Sequence, residues 1–130
     1  MPTNHETIDT GIAAQIGTYS DAIRVGPGQQ WLFTSGTPGL AGEKPLSNDI
    51  RGQSEKAWEN ILAALGKAGM DMGDVVKVTS YLTRQEDIRP YAEVRKRYLG
   101  SARPASMLLV VPALVWPEIL VEIEIIAAKK

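Results

Sequence analysis

Two glutamates, Glu122 and Glu124, stand two residues apart in the run EILVEIEIIA near the end of this 130-residue chain. Residues two apart on an extended strand share a face. Both carboxylates therefore project together with Leu120 and Ile126, while Ile119, Val121, Ile123 and Ile125 face the other way. Close carboxylates raise one another's pKa, and a raised carboxylate suits general-base work. A plain solvated strand face is the competing reading. The remaining residue types narrow the chemistry. The chain has no cysteine, which excludes disulfides, thiolate nucleophiles and Cys-based metal sites and fits a reducing, cytoplasmic setting. Its single histidine, His5, lies in a polar N-terminal stretch, so neither a multi-His metal site nor a Ser-His couple is expected, and no cofactor is implied.

Positive charge gathers only in Arg89, Arg95, Lys96, Arg97 and Arg103, and on a helix Arg89, Lys96 and Arg97 read as a solvated face. The net charge of −1 argues against a partner bound through its phosphate backbone, so no nucleic acid is expected. No apolar stretch reaches bilayer length and no charged-then-apolar leader opens the chain, so neither a membrane partner nor secretion by that route is expected.

The elements that must position these residues are legible from periodicity. Residues 1–14 are polar and without a strong pattern. Gln30 to Ser35 alternates as a strand, with Trp31, Phe33 and Ser35 on one face and Leu32 and Thr34 on the other. The following loop carries Pro38, Gly39, Gly42 and Pro45, a composition expected to forbid regular structure. Asp49 to Ala68 has helical spacing, with Asn48 or Asp49 as N-cap and Gly69 as the stop; Gly52 is expected to weaken its first turn. Asp74 to Thr83 is β-branched and reads as a strand, and Asp87 to Leu99 as a second helix ended by Gly100. Arg103 to Ala127 holds two apolar runs bounded by prolines, hence two more strands. The order predicts an α+β domain spanning 1–130, with both helices on one face of a mixed sheet. Strands near Val75, Leu108 and Ile123 are apolar on both sides, which calls for a second copy of the chain as cover.

Several of these segments, in this order, resemble the RidA/YjgF family of reactive-intermediate (imine/enamine) deaminases. Pro104, Ala105, Ser106 and Met107 match its Pro-Ala-Arg-Ser strand; Glu122, Ile123 and Glu124 match its Glu-Ile-Glu; Ile126 and Ala127 follow as Ile-Ala. Ile16-Gly17-Thr18-Tyr19-Ser20 is similar to its Ile-Gly-Pro-Tyr-Ser opening, with Thr18 where proline is usual, and Ser35-Gly36 to its Ser-Gly strand end. The resemblance covers residues 15 to 127. It implies chorismate-mutase-like subunits in a homotrimer, with sites at the interfaces, although symmetry statistics alone favour a dimer. It also implies hydrolysis of a small carboxylate-bearing imine or enamine, with Glu122 holding the attacking water, Tyr19 as a pocket wall, and Ser35 beside Gly36 as a polar contact.

One departure qualifies what carries over. The family's arginine, whose planar fork grips the substrate carboxylate, falls on Ser106. Losing that clamp costs about 1.5–3 kcal/mol of carboxylate binding. Ordinary small 2-imino acids are therefore expected to be hydrolysed weakly or not at all, and specificity to be altered. Arg103, just before Pro104, and Arg95, four residues after Tyr91, are the replacements to weigh; Ala92 stands where the family has asparagine. An enzyme with a relocated cation and a metabolite-binding relative without turnover are the two readings that follow.

Overall fold

The computed structural model describes residues 1–130. Two short strands, β1 (Glu6–Ile8) and β2 (Ala22–Arg24), pair antiparallel as a small separate ribbon near the N-terminus. This corrects the reading of residues 1–14 as patternless; with three residues per strand, alternation is too brief to register in sequence. The main sheet has five strands. β3 (Gln30–Phe33), β7 (Val121–Lys129), β5 (Val75–Leu82) and β6 (Ala105–Val110) lie side by side in that order, and β4 (Thr37–Pro38) pairs with β7 beyond β3.

β4 also corrects the sequence reading, which excluded regular structure from the Pro38 loop. Proline is tolerated in an edge position, and here Thr37 and Pro38 sit opposite Ile123 and Glu122. The strand expected over Gln30–Ser35 stops at Phe33; beyond it Thr34 stays tied to β7, its N–H donating to the Ile125 carbonyl at 3.1 Å and its hydroxyl accepting from the Ile125 N–H at 3.0 Å.

α1 (Ile50–Lys67) begins at Asp49, whose carboxylate accepts from the Gly52 N–H at 2.6 Å, and the chain turns out at Gly69 with φ +71°. Gly52 was expected only to weaken this turn. It is instead required there, because a Cβ at that position would collide with the Ser47 side chain. α2 (Ile88–Leu99) connects β5 to β6, which run parallel, so β5, α2 and β6 form one crossover unit.

Both helices cover one face. Val78, Leu82, Val121, Ile123 and Ile125 from the sheet meet Ala57, Trp58, Ile61, Leu65, Tyr91 and Val94, all buried. The opposite face is open. Register puts Trp31 and Phe33 of β3, Glu122 and Glu124 of β7, Thr79 and Tyr81 of β5, and Met107 and Leu109 of β6 on that side. Trp31, Phe33 and Met107 are 50%, 69% and 51% exposed, so this side of the sheet is left apolar and uncovered by its own chain. No helix is long and apolar enough to cross a membrane.

Candidate functional site

Three of the residues singled out in the sequence meet in one cavity. Tyr19, Arg95 and Ser106 line a space of about 400 Å³ together with Ile16, Ile88, Ala92, Met107 and Leu108. Its floor is β6, its wall is α2, and its rim is the segment carrying Tyr19. That rim is anchored by Ser20, which is buried, forms a bridge to Ala105, and donates its N–H to the Pro104 carbonyl at 3.2 Å and its hydroxyl to the Arg103 carbonyl. Gly17 permits the close turn, since a Cβ there would press on the Tyr19 ring at 3.3 Å. Ser106 pairs with Val78 across the β5–β6 register and shares its helix-facing side.

The two candidate cations divide cleanly. Arg103 donates from Nη1 to the carbonyls of Gly100 and Ala102, both at 2.8 Å, and so closes the end of α2. It lines a different, polar cavity of about 410 Å³ beside Asp9, Gly11 and Asp21, which shares only Tyr19 with the first. Arg95 has no carboxylate partner among the chain's ion pairs, which engage Arg24, Arg51, Lys56, Arg84 and Arg97. Its guanidinium lies over the Tyr91 ring, 5.6 Å from the centroid. Tyr91 is itself fully buried, its hydroxyl shares a hydrogen bond with Ser80, and burial pushes its pKa up to about 12, so it stays a neutral platform. The Tyr91–Ser80 pair was not anticipated from the sequence. The stripe Ile88, Ala92, Arg95 was legible in helical spacing, because residues three and four apart share a face.

Glu122, Ser35 and Gly36 lie elsewhere. Glu122 projects from the open face of β7, opposite Tyr81 of β5 and Pro38 of β4. Gly36 closes over it: a Cβ on Gly36 would stand 2.5 Å from Glu122 Oε1, so only glycine leaves that carboxylate its place. The Glu122 carboxylate has no hydrogen-bond donor and no cation within the chain, and burial alone raises its pKa above the usual glutamate range. Its neighbour behaves otherwise. Glu124 accepts a 2.7 Å hydrogen bond from the Tyr81 hydroxyl, which in turn holds the Tyr81 pKa up. Ser35 is exposed and contributes its backbone carbonyl to the Thr37 hydroxyl at 2.9 Å.

Glu122 and Ser106 therefore occupy opposite faces of the sheet, separated by β5. Strands two apart are about 10 Å from one another. The candidate residues fall into two separate groups in one chain: a cation-and-hydroxyl cavity behind the edge strand, and a carboxylate without a partner on the open face. No cluster of His, Cys, Asp or Glu suited to a metal is present.

Comparisons with known proteins agree with this architecture. The family model described as Endoribonuclease L-PSP matches residues 11–129. A RutC family protein from Pyrococcus abyssi is 38% identical over 117 residues, covering 88% of this chain and 89% of the relative. A 2-iminobutanoate/2-iminopropanoate deaminase from Dermatophagoides farinae is 32% identical over 101 residues, covering 75% and 77%. Among solved structures, TdcF from E. coli with bound serine superposes with a TM-score of 0.73 at 27% identity, covering 88% of this chain and 91% of that one.

Proposed function

This chain belongs to the endoribonuclease L-PSP (RidA/YjgF) family, and from that premise we propose that it is a hydrolytic deaminase of a small reactive imine or enamine bearing a carboxylate. The observation that carries the reading is the state of Glu122: half-buried under Gly36, raised in pKa by desolvation, and without a donor or cation of its own. A partly desolvated carboxylate left unpartnered is costly, and a general base is one reason to keep it. In the proposed reaction Glu122 takes a proton from water as the oxygen attacks the imine carbon. Glu122 returns that proton to the imine nitrogen to give the carbinolamine; it then carries the carbinolamine hydroxyl proton to the amine as the C–N bond breaks, so that ammonia leaves and the 2-keto acid remains. Named imine deaminase activity in the mite relative and bound serine in the bacterial neighbour support a small amino-acid-like ligand.

The two half-sites join in this proposal only between copies. The open face, with Trp31, Phe33 and Met107 uncovered, is the surface on which a neighbouring subunit would seat, in a homotrimer on the family pattern. Glu122 of one copy would then face the Tyr19–Arg95–Ser106 cavity of the next, with Arg95 holding the carboxylate that Ser106 cannot.

Ammonia release from 2-imino acids generated in situ tests the reaction. Turnover that disappears in Glu122→Gln supports it. Binding of 2-keto acids with no ammonia release above the spontaneous rate leaves the second reading, a metabolite-binding relative, which the absence of an arginine at Ser106 favours.

A further inference from the structure

The cavity behind β6 is graded from end to end. Ile88, Ala92 and Arg95 form one stripe of α2, with Arg95 about 10 Å along the helix axis from Ile88. Because α2 is the crossover between the parallel strands β5 and β6, it runs against the direction of β6. The Arg95 end therefore lies over the start of β6, where Ser106 stands, and the Ile88 end over Leu108. Tyr19 joins the Arg95 end, since Ser20 beside it bridges Ala105. One end thus carries a guanidinium and two hydroxyls; the other is apolar. Ala92, the small residue midway, leaves the space between them open.

Charge and volume narrow the occupant further. Arg95 is the sole cation of the lining and no acid lines it, so a single negative charge is matched. A three-carbon keto acid fills roughly 100 Å³, judged against the 30 Å³ that a water occupies in the liquid. The cavity holds about 400 Å³.

Resting on the reading of this cavity as the ligand half-site, we propose that its ligand is a monocarboxylate with a branched or aromatic apolar side chain. The carboxylate lies at Arg95, Ser106 and Tyr19, and the side chain runs past Ala92 towards Ile88 and Leu108. One- and two-carbon side chains leave the apolar end wet and gain little from it.

Calorimetric titration of the intact protein with pyruvate, 2-oxobutanoate, 4-methyl-2-oxopentanoate, 2-oxoglutarate and the uncharged 4-methylpentan-2-one tests this. Each buried methylene tightens binding about fourfold, so 4-methyl-2-oxopentanoate should bind at least about tenfold more tightly than pyruvate. The ketone and the dicarboxylate should bind more weakly than 4-methyl-2-oxopentanoate. Ala92→Phe, which fills the middle of the stripe, should erase the advantage of the longer acid. A flat or reversed series, a ketone equal to its keto acid, or no binding by any of the acids overturns the proposal; the parent series decides it if Ala92→Phe fails to fold. Graded keto-acid binding without ammonia release from imines removes the deaminase reading and leaves this one standing. Ammonia release with a flat series does the reverse.

Discussion

The two faces of the sheet are built to different ends. On the helix side the centre of the sheet is closed: Val78, Leu82, Ile123 and Ile125 are sealed beneath Trp58 and Tyr91, and Ser80 has the Tyr91 hydroxyl. On the open side large apolar groups remain in water, and two glutamates stand among them. One of these, Glu124, is satisfied by Tyr81; the other, Glu122, is not. The contrast between a closed centre on one face and uncovered apolar groups on the other is what the proposed assembly explains. The buried core lies on the first face, and the proposed general base stands on the second.

Changes on the two faces should separate these roles. Trp58→Ala removes the largest fully buried side chain and should cost about 3–5 kcal/mol, read as a lowered denaturation midpoint. A smaller loss would mean that the helix-side core is less tightly packed than its burial implies. Glu122→Gln should lower turnover about 10²–10⁴-fold while leaving ligand binding in place. It should not destabilise the fold at neutral pH. Burial raises the folded-state pKa of Glu122, so its contribution to stability is present at low pH and is lost as pH rises through that raised value. For the same reason the parent's turnover should rise with pH through an inflection above the ordinary glutamate range, and the Gln variant should lack it. Arg95→Ala should weaken an anionic ligand by about 1.5–3 kcal/mol without changing assembly. Unchanged binding would make Arg95 a surface charge; a broken assembly would make its role structural. Tyr81→Phe, which frees Glu124, should have the smallest effect, within about 1 kcal/mol on stability and little on turnover. A turnover loss as large as that of Glu122→Gln would exchange the roles of the two glutamates.

The helix-side half of the molecule was the more legible in sequence. Helical spacing located α1 and α2 to within a residue or two, and the β-branched run Asp74–Thr83 gave β5, because burial there imposes a strict period. The short elements escaped: β1, β2 and β4 have two or three residues each, β1 and β2 held by one another and β4 by β7 far along the chain. Alternation placed Glu122 and Glu124 on one face, but not the difference between them. That difference comes from a cross-strand tyrosine and a glycine nearly ninety residues away. In the same way, Arg95 and Arg103 look alike as isolated cations. Only the fold turns Arg103 onto the end of α2 and leaves Arg95 facing Ser106.

The central claim is that Glu122 of one copy works with Arg95 of another. Mixing Glu122→Gln and Arg95→Ala chains, by co-expression or by refolding together, tests it directly through the rate of ammonia release. At substrate well below saturation, where weakened binding also lowers the rate, each variant alone should be nearly inactive. In the proposed trimer, mixed assemblies contain some interfaces with both native residues, so an equal mixture should recover about a quarter of the parent's activity. A mixture no more active than the two variants measured separately would contradict the claim, and would place both residues at work within a single chain or not at all.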